Sequence, residues 1–340
     1  MKQKIIILAV SLLFITSCRT KTEANSESNT VTEASQEVEV QTPDFQISLA
    51  QWSLHKKYFG NIQERGGFGW FVNTLMTTPD DAILEGQDPM DFPAEAAKYG
   101  VNSIELVNTF YYGKANDMSY WTTFKEKCEE AGVQVGLIMC DALGDLGNAD
   151  AAARTTAIEN HYKWVDIAKF LGAHTIRVNA AGKGTAEEVA SNATDGLKRL
   201  GEYGANKGIN IVVENHGGYS SNGAWLAGVM KAVGMNNVGT LPDFGNFCIE
   251  SGPEGCVNEY DRYKGIEELM PYAKAVSAKA HVFDEDGNEA NSDFLRIMKI
   301  VKDSGFKGHI GIEYEGNELS EDEGIKKTKA LLEKVFAELQ

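Results

Sequence analysis

From residue 45 onward, short apolar and β-branched runs alternate with longer stretches in which apolar residues recur every three or four positions. The alternation occurs eight times. The runs predict strands at Gln46–Trp52, Ser103–Val107, Gln134–Met139, Thr175–Asn179, Asn210–Glu214, Val238–Asp243, Ala275–His281 and His309–Glu313. Between them, Ala157 to Leu171 sets Ile158, His161, Trp164, Val165, Ala168 and Leu171 on one side of an amphipathic helix. Gly172, Gly208, Gly234 and Gly305 stand just past helix ends, where a left-handed cap is needed. Such alternation argues for a parallel sheet with helices outside it. Eight units with a helical tail at Glu321–Gln340 match an α/β fold of the (β/α)8 TIM barrel type. A doubly wound open sheet is weakened by the absence of a Gly-x-Gly-x-x-Gly turn after the first strand. Gly60 to Phe92, rich in Gly, Asp and aromatics, predicts a loop beside the barrel mouth.

The amino-terminal part lacks this pattern. Residues 1–17 carry Lys2 and Lys4 before an apolar run from Ile5 to Thr16, too short to span a bilayer permanently. The run ends in Ile15-Thr16-Ser17-Cys18, which resembles a bacterial lipoprotein cleavage box and implies lipidation of Cys18. The alternative is a plain signal peptide followed by an incidental cysteine. Residues 18–43 are polar and lack aromatics, so they read as an acylated cysteine and flexible tether. The barrel domain then occupies 44–340. An exported, lipid-anchored chain at the periplasmic or outer-membrane face of a Gram-negative cell follows, with no other membrane attachment. That compartment permits disulfides, and Cys248 and Cys256 form the one close pair, either bridged or as two free thiols.

Composition then narrows the partners. Asp plus Glu outnumber Lys plus Arg by 49 to 32, for a formal charge of −17, which argues against a nucleic-acid partner. Converging carboxylates would instead attract a cation. In a barrel, the carboxyl ends of the strands face a common site. Strand five ends in Glu214-Asn215-His216, strand six in Asp243-Phe244-Gly245-Asn246, strand seven in Lys279-Ala280-His281 and strand eight in Glu313-Tyr314-Glu315. Glu214, Asp243, His281 and Glu313 make an oxygen-rich set with one imidazole, suited to one divalent ion. Mn2+, Mg2+ or Co2+ is favoured and Zn2+ is also admissible. Glu105, Arg177 and Asn179 face the same opening by parity and, with His216, are candidate hydroxyl ligands. Lys279 reads either as a donor to a hydroxyl or developing oxyanion, or as an internal salt bridge. Trp52 and His55 follow strand one, where an aromatic face could pack on a sugar ring or belong to the core.

At Val213-Glu214-Asn215-His216-Gly217-Gly218, Leu241-Pro242-Asp243-Phe244-Gly245-Asn246-Phe247 and Ile312-Glu313-Tyr314-Glu315-Gly316 the chain resembles the xylose-isomerase-like barrel superfamily. That group includes sugar isomerases, ketose 3-epimerases, inosose dehydratase and endonuclease IV. The resemblance covers Phe45 to Gln340. It implies that the Glu-Asp-His-Glu quartet holds one divalent metal, with Glu214 and Glu313 moving a proton beside a carbonyl. Two positions depart from the epimerase pattern: Asn246 stands where a histidine is usual, and no arginine follows His281 in Val282-Phe283-Asp284-Glu285-Asp286-Gly287. Asn246 and Glu315 therefore join the candidate substrate contacts. With six histidines and an acidic balance, the three-zinc nuclease reading fails.

The expected activity is a metal-dependent isomerase or epimerase acting through an enediolate on a small, non-phosphorylated sugar. Sugar phosphates are cytoplasmic, and the mouth lacks a cluster of Arg and Lys to hold a phosphate. A lyase or dehydratase working on a 3-keto-glycoside by the same first step is the alternative. A non-catalytic sugar-binding lipoprotein is a third reading, disfavoured by a second carboxylate that a mere binder does not need.

Overall fold

Ten strands follow one another in the computed structural model, which describes residues 45–253 and 255–340. They are β1 (Phe45–Ala50), β2 (Ser103–Val107), β3 (Gln134–Met139), β4 (Thr175–Val178), β5 (Asn210–Glu214), β6 (Val238–Leu241), β7 (Cys248–Gly252), β8 (Gly255–Glu259), β9 (Val276–Ala280) and β10 (Gly308–Tyr314). The leader, Cys18 and the tether lie outside the described residues. Among the described residues no helix is long and apolar enough to cross a membrane.

Eight strands form one parallel ladder in the order β6-β5-β4-β3-β2-β1-β10-β9. Its two end strands then meet along a short seam. Lys274 N–H donates to the Thr240 carbonyl, Ser277 N–H to the Pro242 carbonyl, and Phe244 N–H to the Ser277 carbonyl, each at 3.0 Å. The eight strand expectations therefore hold, with ends shifted by at most two residues. A helix follows each strand of the barrel, as at Met118–Ala131, Ala151–Leu171 and Ala186–Lys207. Thr185 and Ser320 open their helices with capping boxes to Glu188 and Glu323, and Gly172 and Gly208 close theirs at φ of 85° and 73°.

Side-chain alternation sorts the strands into two faces. Ile104, Leu106, Ile176, Val213 and Ile312 are fully buried on the helix-facing side. Many inward positions are polar and buried all the same, Ser48, Glu105, Thr175, Arg177, Glu214, Ser277, Lys279 and Glu313, beside apolar ones such as Leu137, Val212 and Leu241. Barrel interiors are usually filled by branched apolar residues, so this polar column sets apart the part of the molecule that carries chemistry.

Two segments differ from expectation. Gly60 to Phe92 does flank the mouth, but it contains an 11-residue helix, Gly67–Thr77, instead of being loop throughout. Its Phe71 is buried against Phe59 and Trp52, with ring centroids 4.8 and 6.5 Å away, and this contact orders the segment. The second is the antiparallel hairpin β7–β8 between β6 and β9, which sequence periodicity did not reveal. Its residues are largely exposed, so no apolar face marks its strands. Cys248 and Cys256 are bridged across it, with Cα atoms 5.7 Å apart, while Cys128 and Cys140 are buried free thiols.

The seam depends on Gly239 of β6. A Cβ there would collide with the backbone carbonyl of Tyr272, in the turn that leads into β9. Gly239→Ala is therefore expected to cost about 1–3 kcal/mol through overpacking and to lower the melting temperature by several degrees. A thermal melt matching the parent would show that the seam tolerates the methyl group and that this account of closure is wrong.

Candidate active site

Ladder register decides which side chains meet. Glu313 of β10 pairs with Lys279 of β9, and Asp243, just beyond β6, bridges Ser277 of the same strand. Glu214 ends β5 beside Leu241 of β6. These pairings bring carboxylate oxygens of Glu214, Asp243 and Glu313 to within 4.8 Å of one another, all three buried.

Each acid has a defined partner set. Glu214 accepts from Asn246 Nδ2 at 2.9 Å and pairs with Arg177 Nε at 2.9 Å. Asp243 Oδ1 accepts the backbone N–H groups of Gly245 and Asn246 at 2.8 and 2.9 Å. Its other oxygen, Oδ2, is buried with no hydrogen-bond partner. Glu313 meets Lys279 Nζ at 3.0 Å and the Ser277 hydroxyl at 3.4 Å. Lys279 Nζ also lies 3.0 Å from Glu315 and donates to Asn246 Oδ1 at 3.3 Å. Asn246 thus ties Glu214 to Lys279 at the position where epimerases usually carry a histidine. The salt-bridge reading of Lys279 is what the structure shows, with the ammonium set among the carboxylates.

His281 is not gathered with the three acids. It lies two residues beyond Lys279 on the same face, which places it about 6–7 Å farther out along the strand direction. Its side chain is 39% exposed, with Nε2 3.9 Å from Glu315. Three of the four expected ligands, Glu214, Asp243 and Glu313, converge with Lys279 at their level, and the His281 imidazole stands apart at the rim. Glu105 also departs from expectation. It sits one layer below the trio, accepts from Ser48 Oγ at 2.5 Å, and occupies space left by the missing side chain of Gly311. It lines a cavity of about 180 Å³ with Ser103, His174 and His309, at the amino-terminal ends of their strands, and does not face the mouth.

Arg177 and Asn179 both donate to Asp141, each at 2.7 Å, and His216 Nδ1 is 3.1 Å from Asn179 Oδ1. Asp141 is a site residue that the sequence reading passed over. It stands two residues past β3 on the inward parity, as Asp243 stands two past β6, and that spacing was the available signal. Asn215 was missed as well: fully buried, it holds the Asp243 turn by accepting from Asp243 N–H and donating to the Asp243 and Asn246 carbonyls. Trp52 takes up the packing role proposed for it. It is half-buried among Phe59, Phe71 and Phe110, stacks on His55 at 4.9 Å, and donates its indole N–H to Glu315.

Six carboxylates (Glu105, Asp141, Glu214, Asp243, Glu313 and Glu315) thus surround two cations, Arg177 and Lys279. Burial pushes Glu105 up to about 7, with the charge of Glu214 adding to the shift. Burial likewise raises Asp243 and Glu313, although Lys279 opposes the shift in both. Asp141 would rise on burial too, but Arg177 holds it down at about 2. Glu214, Asp243 and Glu313, with Asp243 Oδ2 left without a hydrogen-bond partner, form an all-oxygen donor set that could hold a hard divalent cation.

Residues 93–335 match the sequence pattern of the xylose isomerase-like TIM barrel family. The chain belongs to that family. No curated protein matches this xylose isomerase-like barrel at a significant level. Solved structures resemble it in fold. The D-allulose 3-epimerase of Methylomonas sp. superposes with a TM-score of 0.60 at 16% identity, covering 86% of this chain and 98% of its own. A xylose isomerase-like barrel protein of Mycobacterium smegmatis in complex with magnesium gives 0.60 at 15% identity, covering 87% and 98%. The 3-keto-D-glucoside 4-epimerase of E. coli gives 0.58 at 12%, covering 74% and 97%.

Metal titration separates the trio from the quartet. Asp243→Asn is expected to weaken Mn2+ binding, followed by calorimetry, at least tenfold, whereas His281→Ala changes it less than about threefold. A large loss in His281→Ala would return the imidazole to the set of ligands.

Proposed function

We propose that this chain is a divalent-metal-dependent sugar isomerase or epimerase that moves a proton on the carbon beside a carbonyl, through an enediolate. The observation that carries the reading is the convergence of Glu214, Asp243 and Glu313 on one buried point, with the Lys279 ammonium beside it. The sugar epimerases among the fold's neighbours support the reaction class. When bound, the cation would supply Lewis-acid polarisation of the substrate carbonyl.

The remaining steps fall to the chain's own groups. Glu214 and Glu313 reach the centre from strands well separated around the barrel, so one carboxylate can take the proton from carbon and either can return it. Lys279, held by Glu313, Glu315 and Asn246, is placed to donate a hydrogen bond to oxygen as negative charge develops there. Arg177 fixes Glu214 on its far side and leaves the carboxylate no freedom to swing away. The Trp52 indole anchors Glu315 and presents part of its ring to the mouth.

A non-phosphorylated sugar fits the surroundings. None of the described residues lining the large cavity beside the centre is a lysine or arginine. Export to an oxidising compartment, with lipidation at Cys18 and a tether ahead of the barrel, agrees with a disulfide in an exposed hairpin. The second reading is elimination from a 3-keto-glycoside, which shares the first proton abstraction. The size of that cavity favours keeping it.

Incubation with keto sugars in D2O and Mg2+ or Mn2+ tests the chemistry. Deuterium is expected at the carbon beside the carbonyl, and Glu214→Gln and Glu313→Gln are each expected to slow its entry by about 10²–10⁴-fold. Release of a leaving group alongside exchange would move the assignment to lyase. If both variants exchange at the parental rate with metal bound, the proton-transfer roles given to these glutamates are wrong.

A further inference from the structure

Two acids in this barrel are held by the same device. Asn215, the first residue past β5, accepts the Asp243 N–H at 2.7 Å and donates to the Asp243 carbonyl at 3.0 Å. Asn108, the first residue past β2, accepts the Asp141 N–H and donates to the Asp141 carbonyl, both at 2.9 Å. Both asparagines are fully buried, and each acid stands two residues past the strand that follows. The ladder register matches as well, since Val107 pairs with Met139 as Glu214 pairs with Leu241. Asp141 is therefore placed as closely as Asp243, although it is not one of the converging acids.

Its side chain has a different task. Asp141 Oδ1 accepts from Arg177 Nη1 and from Asn179 Nδ2, each at 2.7 Å. Arg177 keeps that carboxyl ionised, and an ionised carboxylate accepts hydrogen bonds but donates none. Asn179 must then turn its NH2 group toward Asp141, which sends its carbonyl oxygen the other way. That oxygen lies 3.1 Å from His216 Nδ1. An amide oxygen only accepts, so Nδ1 carries the hydrogen and, in the neutral ring, Nε2 is left bare. The His216 backbone is tied down too. Its N–H donates to Ser220 Oγ at 3.0 Å, and that hydroxyl donates to the Gly217 carbonyl at 2.8 Å. His216 is exposed two residues past Glu214, on the same side by strand alternation. One carboxylate thus stands behind both groups, behind Glu214 through Arg177 and behind His216 through Asn179.

We infer that Asp141 is a positioning residue which, through Asn179, fixes His216 in the Nδ1–H form and presents its bare Nε2 as an acceptor for a sugar hydroxyl. The acceptor role rests on the proposed sugar chemistry. The orientation of the ring does not.

Nitrogen NMR of the full chain carrying isotope-labelled histidine reads the ring directly. It is run at about pH 8, above the ordinary imidazole range, and the His216 signals are identified by their loss in His216→Ala. The parent ring is expected in the Nδ1–H form. Asn179→Ala and Asp141→Ala should each release it toward the Nε2–H form. Asp141→Asn should keep it, because the amide oxygen can still accept from Arg177 and Asn179. Melting temperature reports whether each variant is folded, and Asn179→Ala leaves the Arg177 ion pairs in place should Asp141→Ala fail to fold. A parent ring with its hydrogen on Nε2, or a ring unmoved in Asn179→Ala, would overturn the positioning assignment.

Deuterium exchange from D2O into D-fructose and methyl 3-keto-glucopyranoside reads the acceptor role. His216→Ala and Asn179→Ala are each expected to raise KM severalfold more than they lower kcat. The double variant should lose no more than His216→Ala alone, since Asn179 acts through the ring. Additive losses, or an unchanged KM in His216→Ala, would refute the acceptor role. Exchange absent from the parent on both probes sinks the proton-transfer reading and the acceptor role with it, while the spectrum still decides the orientation of the ring.

Discussion

Six carboxyl groups brought out of water around two cations are the constraint to which the rest of this molecule answers. Every group near the centre is placed by that imbalance. Arg177 spans Asp141 and Glu214, Lys279 spans Glu313 and Glu315, and Asn246 and Asn215 fix the turn that carries Asp243. Removing one partner of such a buried pair leaves a charge unmet, which typically costs about 3–5 kcal/mol. The barrel holds this arrangement because each acid except Glu105 sits at or next to a strand end, where backbone hydrogen bonding fixes its depth.

Much of this was legible in the sequence, for identifiable reasons. Eight strands could be read because parallel strands buried on both faces are dense in β-branched residues. Strand-end position then picked out Glu214, Asp243 and Glu313 from a background of 49 acids. The fourth member eluded that logic. Parity says that Lys279 and His281 share a face, but it is silent on depth, and depth decides which of them meets Glu313. The same gap explains Glu105, which has inward parity yet lies a layer beneath the trio beside Ser48.

The hairpin and the helix at the mouth were illegible for a different reason. The hairpin carries no regular apolar face because it is turned to solvent, whereas the helix does set Phe68, Phe71, Val72 and Leu75 at helical spacing, a signal masked by Gly66, Gly67 and Gly69 at its start. Their order comes from elsewhere: a disulfide in one, and Phe71 packed on Phe59 and Trp52 in the other. Elements that a barrel does not need for closure are where a common scaffold acquires its own specificity.

The seam between β6 and β9 gives the carboxylate centre a mechanical standing as well. Its last hydrogen bonds run through Pro242, Phe244 and Ser277, the neighbours of Asp243 and the hydroxyl beside Glu313. A cation held by Glu214, Asp243 and Glu313 would join strands on both sides of the seam at once, as a clasp joins two ends of a band. Occupancy and closure would then be one equilibrium, and the barrel's resistance to unfolding would carry a record of what it holds.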